Sequence, residues 1–187
     1  MDYDLVVGID PGTIHQGFAY ANHGGYSFGH IALKGLNRQT PFEVFFQRLD
    51  AWPDFQSLLL AIKEARNVAA FIEQPDRWVT QKVICRGYDE PEQRRFQEQV
   101  ATFWRRLILI SNPDAQVIKI NSLTWQRKLL VDSQRQGKSF YKFEALRVAS
   151  NIVGQPMINV HAADAVCLTN YGIIHHFVNN RLVAPSH

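Results

Sequence analysis

Leu5-Val6-Val7-Gly8-Ile9 is an uninterrupted apolar run that ends on Asp10 and meets Pro11-Gly12-Thr13 at once. The run is too short for a helix and rich in Val and Ile, so it predicts a central strand buried on both faces. Pro11 and Gly12 break such a strand. Asp10 is therefore expected at its C-terminal tip, the edge of an open α/β sheet where ligands bind. Asp-Pro-Gly is also ordinary turn chemistry, so the weight given to Asp10 depends on partners elsewhere.

A second run, Val68-Ala69-Ala70-Phe71-Ile72, likewise reaches a carboxylate, Glu73, followed by Gln74-Pro75. Between the two lies a helical stretch from about Phe42 to Arg66, opened by Thr40-Pro41 and broken near Pro53. A helical crossover makes the second strand parallel to the first and brings Asp10 and Glu73 to one edge of the sheet. The third acid is Asp164, on an almost wholly apolar helix expected from about Val160 to Phe177. His161 lies three residues before it, and the shared face continues through Leu168 and Tyr171, which points Asp164 into the protein. A buried carboxylate needs a cation or several donors. Read singly, Asp164 is a first-turn acid stabilised by the helix dipole and His161 a core histidine, with His175 and His176 dipole partners at the far end.

The remaining elements fit around these. Gly17 to Ala21 and Tyr26 to Leu33, separated by Asn22-His23-Gly24-Gly25, form a hairpin, so three antiparallel strands begin with the Asp10 strand. Asp76 to Pro91 reads as an irregular basic loop, followed by a helix from about Glu92 to Ile110 with Phe96, Val100, Phe103, Trp104 and Leu107 on one stripe. That stripe serves either the core or a dimer surface. Gln116 to Ile120 is a further strand, after which Asn121 or Ser122 caps a short helix, Leu123 to Leu130. Val131 to Ser139 reads as a loop before a helix from Phe140 to Ile152. No repeat or linker interrupts the 187 residues, which are expected to form one domain.

Charge is distributed unevenly. Residues 1 to 76 carry 5 Lys/Arg against 9 Asp/Glu, whereas residues 77 to 147 carry 14 against 7. The middle of the chain is thus suited to a polyanion, since each neutralised phosphate releases counterions. The chain opens Met1-Asp2-Tyr3-Asp4 with no basic leader, and no stretch approaches about 18 consecutive apolar residues. Neither secretion nor membrane insertion is expected. Cys85 and Cys167 are too few for a disulfide framework and lack metal-ligand spacing, which fits a reducing interior.

Three carboxylates around one site repel one another unless divalent cations occupy it. Oxygen-rich ligands favour Mg²⁺ or Mn²⁺, which take phosphate oxygens as further ligands. Two such ions on shared carboxylates suit phosphodiester hydrolysis.

Gly8-Ile9-Asp10-Pro11-Gly12, Ile72-Glu73 and His161-Ala162-Ala163-Asp164-Ala165, in this order, resemble the signature of the RuvC-type Holliday junction resolvases of the ribonuclease H-like superfamily. The resemblance spans nearly the whole chain. It implies an α/β fold with a ribonuclease H-like mixed five-stranded sheet, the first three strands antiparallel and the later ones parallel to the first, flanked by helices. It also implies a homodimer that makes paired symmetric cuts in a four-way DNA junction, leaving 5′ phosphates and 3′ hydroxyls.

By position, Asp10 and Asp164 would be the principal ligands of two Mg²⁺ ions, with Mn²⁺ able to substitute. Glu73 would hold the second ion or orient water, and His161 would be a neighbouring ligand or a proton-handling group. The helix start favours a neutral His161, which suits ligation. Many members carry Asp at the position of His161. Basic residues after the fifth strand look matched by Lys128, Lys138 and Lys142, and Trp125-Gln126-Arg127-Lys128 is closer to the viral and organellar branch. Arg77, Lys82, Arg86 and Arg127 would join them on DNA, with Trp78, and Tyr88 in reserve, as the aromatic that enters the junction.

The first motif also resembles the phosphate loop of actin-like ATPases and sugar kinases. Those need a second comparable domain, for which 187 residues leave no room. No nucleotide cofactor or membrane partner is expected. Two other readings are a nuclease of this fold acting on flaps or structured RNA, and a junction-binding protein without catalysis. The expected location is the cytoplasm with the nucleoid, or an organelle matrix or host cytoplasm for an organellar or viral protein.

Overall fold

A computed structural model describes residues 3–12, 14–37, 39–74, 91–130 and 138–178, without the side chains of 91–94, 138–139 and 176–178. The two apolar runs lie side by side at its centre, as β1 (Leu5–Pro11) and β4 (Val68–Gln74), paired in parallel from Leu5↔Val68 to Ile9↔Ile72. On the other side of β1 the antiparallel hairpin β2 (His15–Asn22) and β3 (Gly25–Ala32) completes one half of the sheet. Strand β5 (Gln116–Asn121) adds in parallel to β4, giving the order β3-β2-β1-β4-β5. This is the mixed five-stranded sheet that the sequence led us to expect.

Both acid-bearing strands run slightly further than expected. Strand β1 continues to Pro11, which pairs with Gln16 of β2. The ladder to β4 has by then ended at Ile9↔Ile72, so proline's missing N–H costs no parallel pairing there. Strand β4 includes Glu73 and Gln74, paired with Ile120 and Asn121 of β5.

Strand alternation sorts the core into two layers. Leu5, Val7, Ile9, Phe18, Ala70 and Ile72 face α1 (Phe42–Asp50), α2 (Pro53–Glu64) and α3 (Pro91–Ser111). The break between α1 and α2 falls as expected, with Pro53 as the first residue of α2, where its missing N–H is harmless. The α3 stripe of Phe96, Val100, Phe103, Trp104 and Leu107 is buried in this layer, so it is core rather than a surface for a second copy.

Val6, Ala19, Ala69 and Phe71 face the other layer, built from α4 (Ser122–Leu129), α5 (Lys138–Val153) and α6 (Val160–Gly172). Asn121 caps α4 by accepting from the Leu123 N–H, and α5 begins two residues earlier than expected, at Lys138. Helix α6 gives way to a π-helical turn, Ile173–Val178, after Gly172. There the absent side chain leaves room for the Phe71 ring. The His175 ring packs on Tyr171, 4.9 Å between centroids, while the His176 side chain lies outside the described residues.

Helix α6 rests directly on the sheet because the sheet residues beneath it are small. A Cβ at Gly8 would overlap the Ala165 carbonyl oxygen and the Thr169 hydroxyl, and would stand 2.7 Å from the Thr169 nitrogen. At Gly17 it would overlap the His161 carbonyl oxygen. Gly8→Ala and Gly17→Ala should each destabilise the fold by about 1–3 kcal/mol or more, the usual cost of overpacking, because what they meet is largely backbone. Urea denaturation checks this, and an unchanged midpoint in both variants would refute the close seating of α6.

Candidate metal centre

Asp10 lies directly across the sheet from Gly17, and Gly17 from His30, so these three residues share one rung and one face. Glu73 stands on the neighbouring strand, one residue beyond the Ile9↔Ile72 pair, and alternation turns it to the same face as Asp10. This face carries α6. The helix passes over Gly17 at His161, so its first two turns deliver His161 and then Asp164 onto the rung that holds the two strand carboxylates; Asp164, the fifth residue of α6, is not the first-turn acid expected. Asn159 fixes the first of these turns, its side chain accepting from the N–H groups of both His161 and Ala162 at 3.0 Å.

His161 Nδ1 lies 2.7 Å from Asp10 Oδ2. A carboxylate only accepts, so Nδ1 carries the proton of this bond, and in a neutral ring the Nε2 lone pair remains for a metal or a proton. The structure thus joins two residues 151 positions apart in sequence. Burial pushes the Glu73 carboxyl well above the usual carboxylate range, and the charges of Asp10 and Asp164 push it further. Trp125 opposes this shift by donating its indole N–H to Glu73 Oε2 at 2.8 Å. Asp164 is raised in the same way, by burial first and then by Asp10, with Lys142 acting against the shift.

Such mutual repulsion fits a site for hard divalent cations, whose charge the carboxylates would share. Asp10, Glu73, Asp164 and His161 supply three carboxylates and an imidazole, a donor set suited to Mg²⁺ or Mn²⁺. Among the described residues no three His, Cys, Asp or Glu side chains are already arranged to hold a metal ion, so these four would have to close on one. Of the four, His161 and Asp10 reach solvent, with side chains 31% and 15% exposed.

Two histidines that the sequence reading passed over stand beside this set. His15 Nδ1 is 3.0 Å from His30 Nε2, and the His161 ring is 5.3 Å from His15 and 5.9 Å from His30 between centroids. Burial lowers the His30 pKa, as do His15 and His161, while Asp10 opposes them. The alternation His15, Gly17, Ala19, Ala21 on one face of β2 was the available clue, since small residues on one face mark where a helix backbone comes close. Gln16, on the opposite face, accepts from the Trp104 indole N–H at 2.8 Å and donates to the Gly12 carbonyl, which holds the turn after Asp10.

Of the expected DNA-contacting residues, Arg127 and Lys128 are exposed in the last turn of α4, and Lys142 is exposed on α5 within electrostatic reach of Asp164. Lys138 opens α5, but its side chain lies outside the described residues, as do Arg77, Trp78, Lys82, Arg86, Tyr88 and Cys85 altogether. Cys167 is a buried free thiol. None of the described helices is long and apolar enough to cross a membrane.

The raised carboxyls have a thermodynamic consequence. A group whose folded pKa lies above its unfolded value binds its proton more readily in the folded chain. Its destabilising effect is therefore greatest at high pH and fades as pH falls through the folded pKa. Without metal, Glu73→Gln and Asp164→Asn should each raise the melting temperature at pH 8 by ~3 °C, the response of a chain this long to roughly 1 kcal/mol. The gain should shrink toward pH 5, and Mg²⁺ should stabilise the wild type more than either variant. A lowered melting temperature in both variants at pH 8 would refute the crowding of these acids.

No protein-family model and no curated protein matches the sequence. Among solved structures it is similar to T. thermophilus RuvC in complex with a Holliday junction substrate, at 16% identity and a TM-score of 0.56, with 95% of each chain covered. A second Thermus thermophilus RuvC structure aligns at 17% identity and a TM-score of 0.48, over 95% of this chain and 96% of that one. With its β3-β2-β1-β4-β5 sheet and end-to-end alignment to the junction-bound structure, the chain has a RuvC-like, ribonuclease H-like fold.

Proposed function

We propose that this chain is a structure-specific DNA endonuclease that resolves four-way junctions by metal-dependent phosphodiester hydrolysis, cutting in symmetric pairs as a homodimer. The observation that carries this reading is the delivery of His161 and Asp164, by one helix, onto the sheet rung that bears Asp10 and Glu73. The RuvC-like fold supports it, because the junction-bound T. thermophilus RuvC is aligned along 95% of its length.

In this reading Asp10, Glu73 and Asp164 would hold two Mg²⁺ ions, or Mn²⁺ in their place, with His161 beside them as a further ligand or as the proton-handling group. Ions bound there supply a nucleophilic water and charge stabilisation for the leaving 3′ oxygen. His161 orients the Asp10 carboxylate through the Nδ1–H bond. Lys142, Arg127 and Lys128, together with Lys138 and the basic residues Arg77, Lys82 and Arg86, hold phosphates against the site, with Trp78 or Tyr88 entering the junction. We further propose one nuclease domain across residues 1–187, located with DNA in a cytoplasm, nucleoid or organelle matrix.

The test is strand cleavage of a synthetic four-way junction beside duplex, flap and RNA controls, with Mg²⁺, Mn²⁺ or EDTA. Wild type should make paired nicks in the junction only with metal. Asp10→Asn should bind the junction but cut it at least ~100-fold more slowly, at the upper end of what groups around a metal cost. An intact junction alongside a cut flap or RNA would overturn the substrate. Binding without cleavage in any divalent metal would overturn the enzyme reading in favour of a junction-binding protein.

A further inference from the structure

Trp125 is fully buried, and its indole N–H is spent on Glu73 Oε2 at 2.8 Å. Three features make this contact rigid. No residue separates β5 from α4: the strand ends at Asn121 and the helix begins at Ser122. Asn121 pairs with Gln74, and the residue before it, Ile120, pairs with Glu73, so the helix that carries Trp125 starts from the rung beside the carboxylate. The indole is then buried in the apolar layer that also holds Ile120, Leu130, Ala163 and Val166.

We infer that Trp125 is a positioning residue for the metal centre: its indole N–H fixes Glu73 Oε2 so that the other carboxylate oxygen is presented to a divalent cation. The inference rests on the metal reading of the site given above. An indole N–H is a donor only and does not titrate near neutral pH, so it favours the ionised, acceptor form of Glu73 in every relevant buffer. Partners of this kind, which orient a ligand without touching the metal, commonly change metal affinity by about 10–100-fold.

The experiment measures Mn²⁺ binding by the full chain, read from the EPR signal of the free ion, without DNA or turnover. Trp125→Phe keeps an aromatic ring and removes the donor. It should weaken Mn²⁺ binding about tenfold in the wild-type background and less than twofold in the Glu73→Gln background. Equal weakening in both backgrounds would assign Trp125 a packing role and overturn the inference, as would unchanged affinity in Trp125→Phe alone. Failure of the wild type to bind Mn²⁺ would overturn the metal reading itself, and this inference with it, an outcome distinct from the other two.

Should Trp125→Phe not fold, the Trp125 Nε1–H resonance of the native protein decides the matter. It should move on adding Mg²⁺ to the wild type and stay still on adding Mg²⁺ to Glu73→Gln. A resonance indifferent to Mg²⁺ in the wild type would overturn the inference.

Discussion

The site depends on backbone seated against backbone. Helix α6 lies on β1 and β2 at Gly8 and Gly17, where any side chain would meet the carbonyls of Ala165 and His161. Lifted by the thickness of one methyl group, the helix would carry His161 away from the 2.7 Å bond to Asp10, and Asp164 with it. Glycine here serves close approach rather than unusual dihedral angles, since neither residue has a positive φ. Interiors packed to crystal density transmit such a displacement instead of absorbing it.

That seating forces an electrostatic conflict. Asp10 and Glu73 are brought under the helix that carries Asp164, and burial plus mutual repulsion raises the carboxyls of Glu73 and Asp164. The relief provided by the chain is partial: the Trp125 indole at Glu73, Lys142 near Asp164 and His161 at Asp10. The fold tolerates this because its two apolar layers are extensive, with Trp104, Phe45, Phe55 and Leu58 fully buried on one side and Trp125, Phe71 and Leu168 on the other. Stability is thus supplied by the layers and spent locally at the site.

Much of this was legible in the chain. Two short apolar runs ending on carboxylates carry a parallel pair, because a strand buried on both faces has few other sequence forms, and the helix between them sets its direction. The Pro53 break and the Asn121 cap follow from missing or orphaned N–H groups and are local. The apolar faces of the last helix placed Asp164 inward. Contacts set by tertiary packing left no such trace: Trp125 read as one anchor among cations, and nothing near it in sequence names Glu73. His15 and His30 escaped notice because their proximity to His161 depends on strand register. The ends of β1 and β4 were missed by a residue or so, since Pro11 is harmful to a ladder only where that ladder continues.

The turn after Asp10 is held from the side of the sheet that does not carry the site, through Trp104, Gln16 and Gly12. Gln16 and Trp104 are both completely buried, so neither can change alone without stranding the other's polar group in an apolar layer. In an evolving lineage these two positions, 88 residues apart, are bound to vary together or not at all. A drift in the α3 layer, remote from any carboxylate, would then be felt first as a loosened loop at the mouth of the centre.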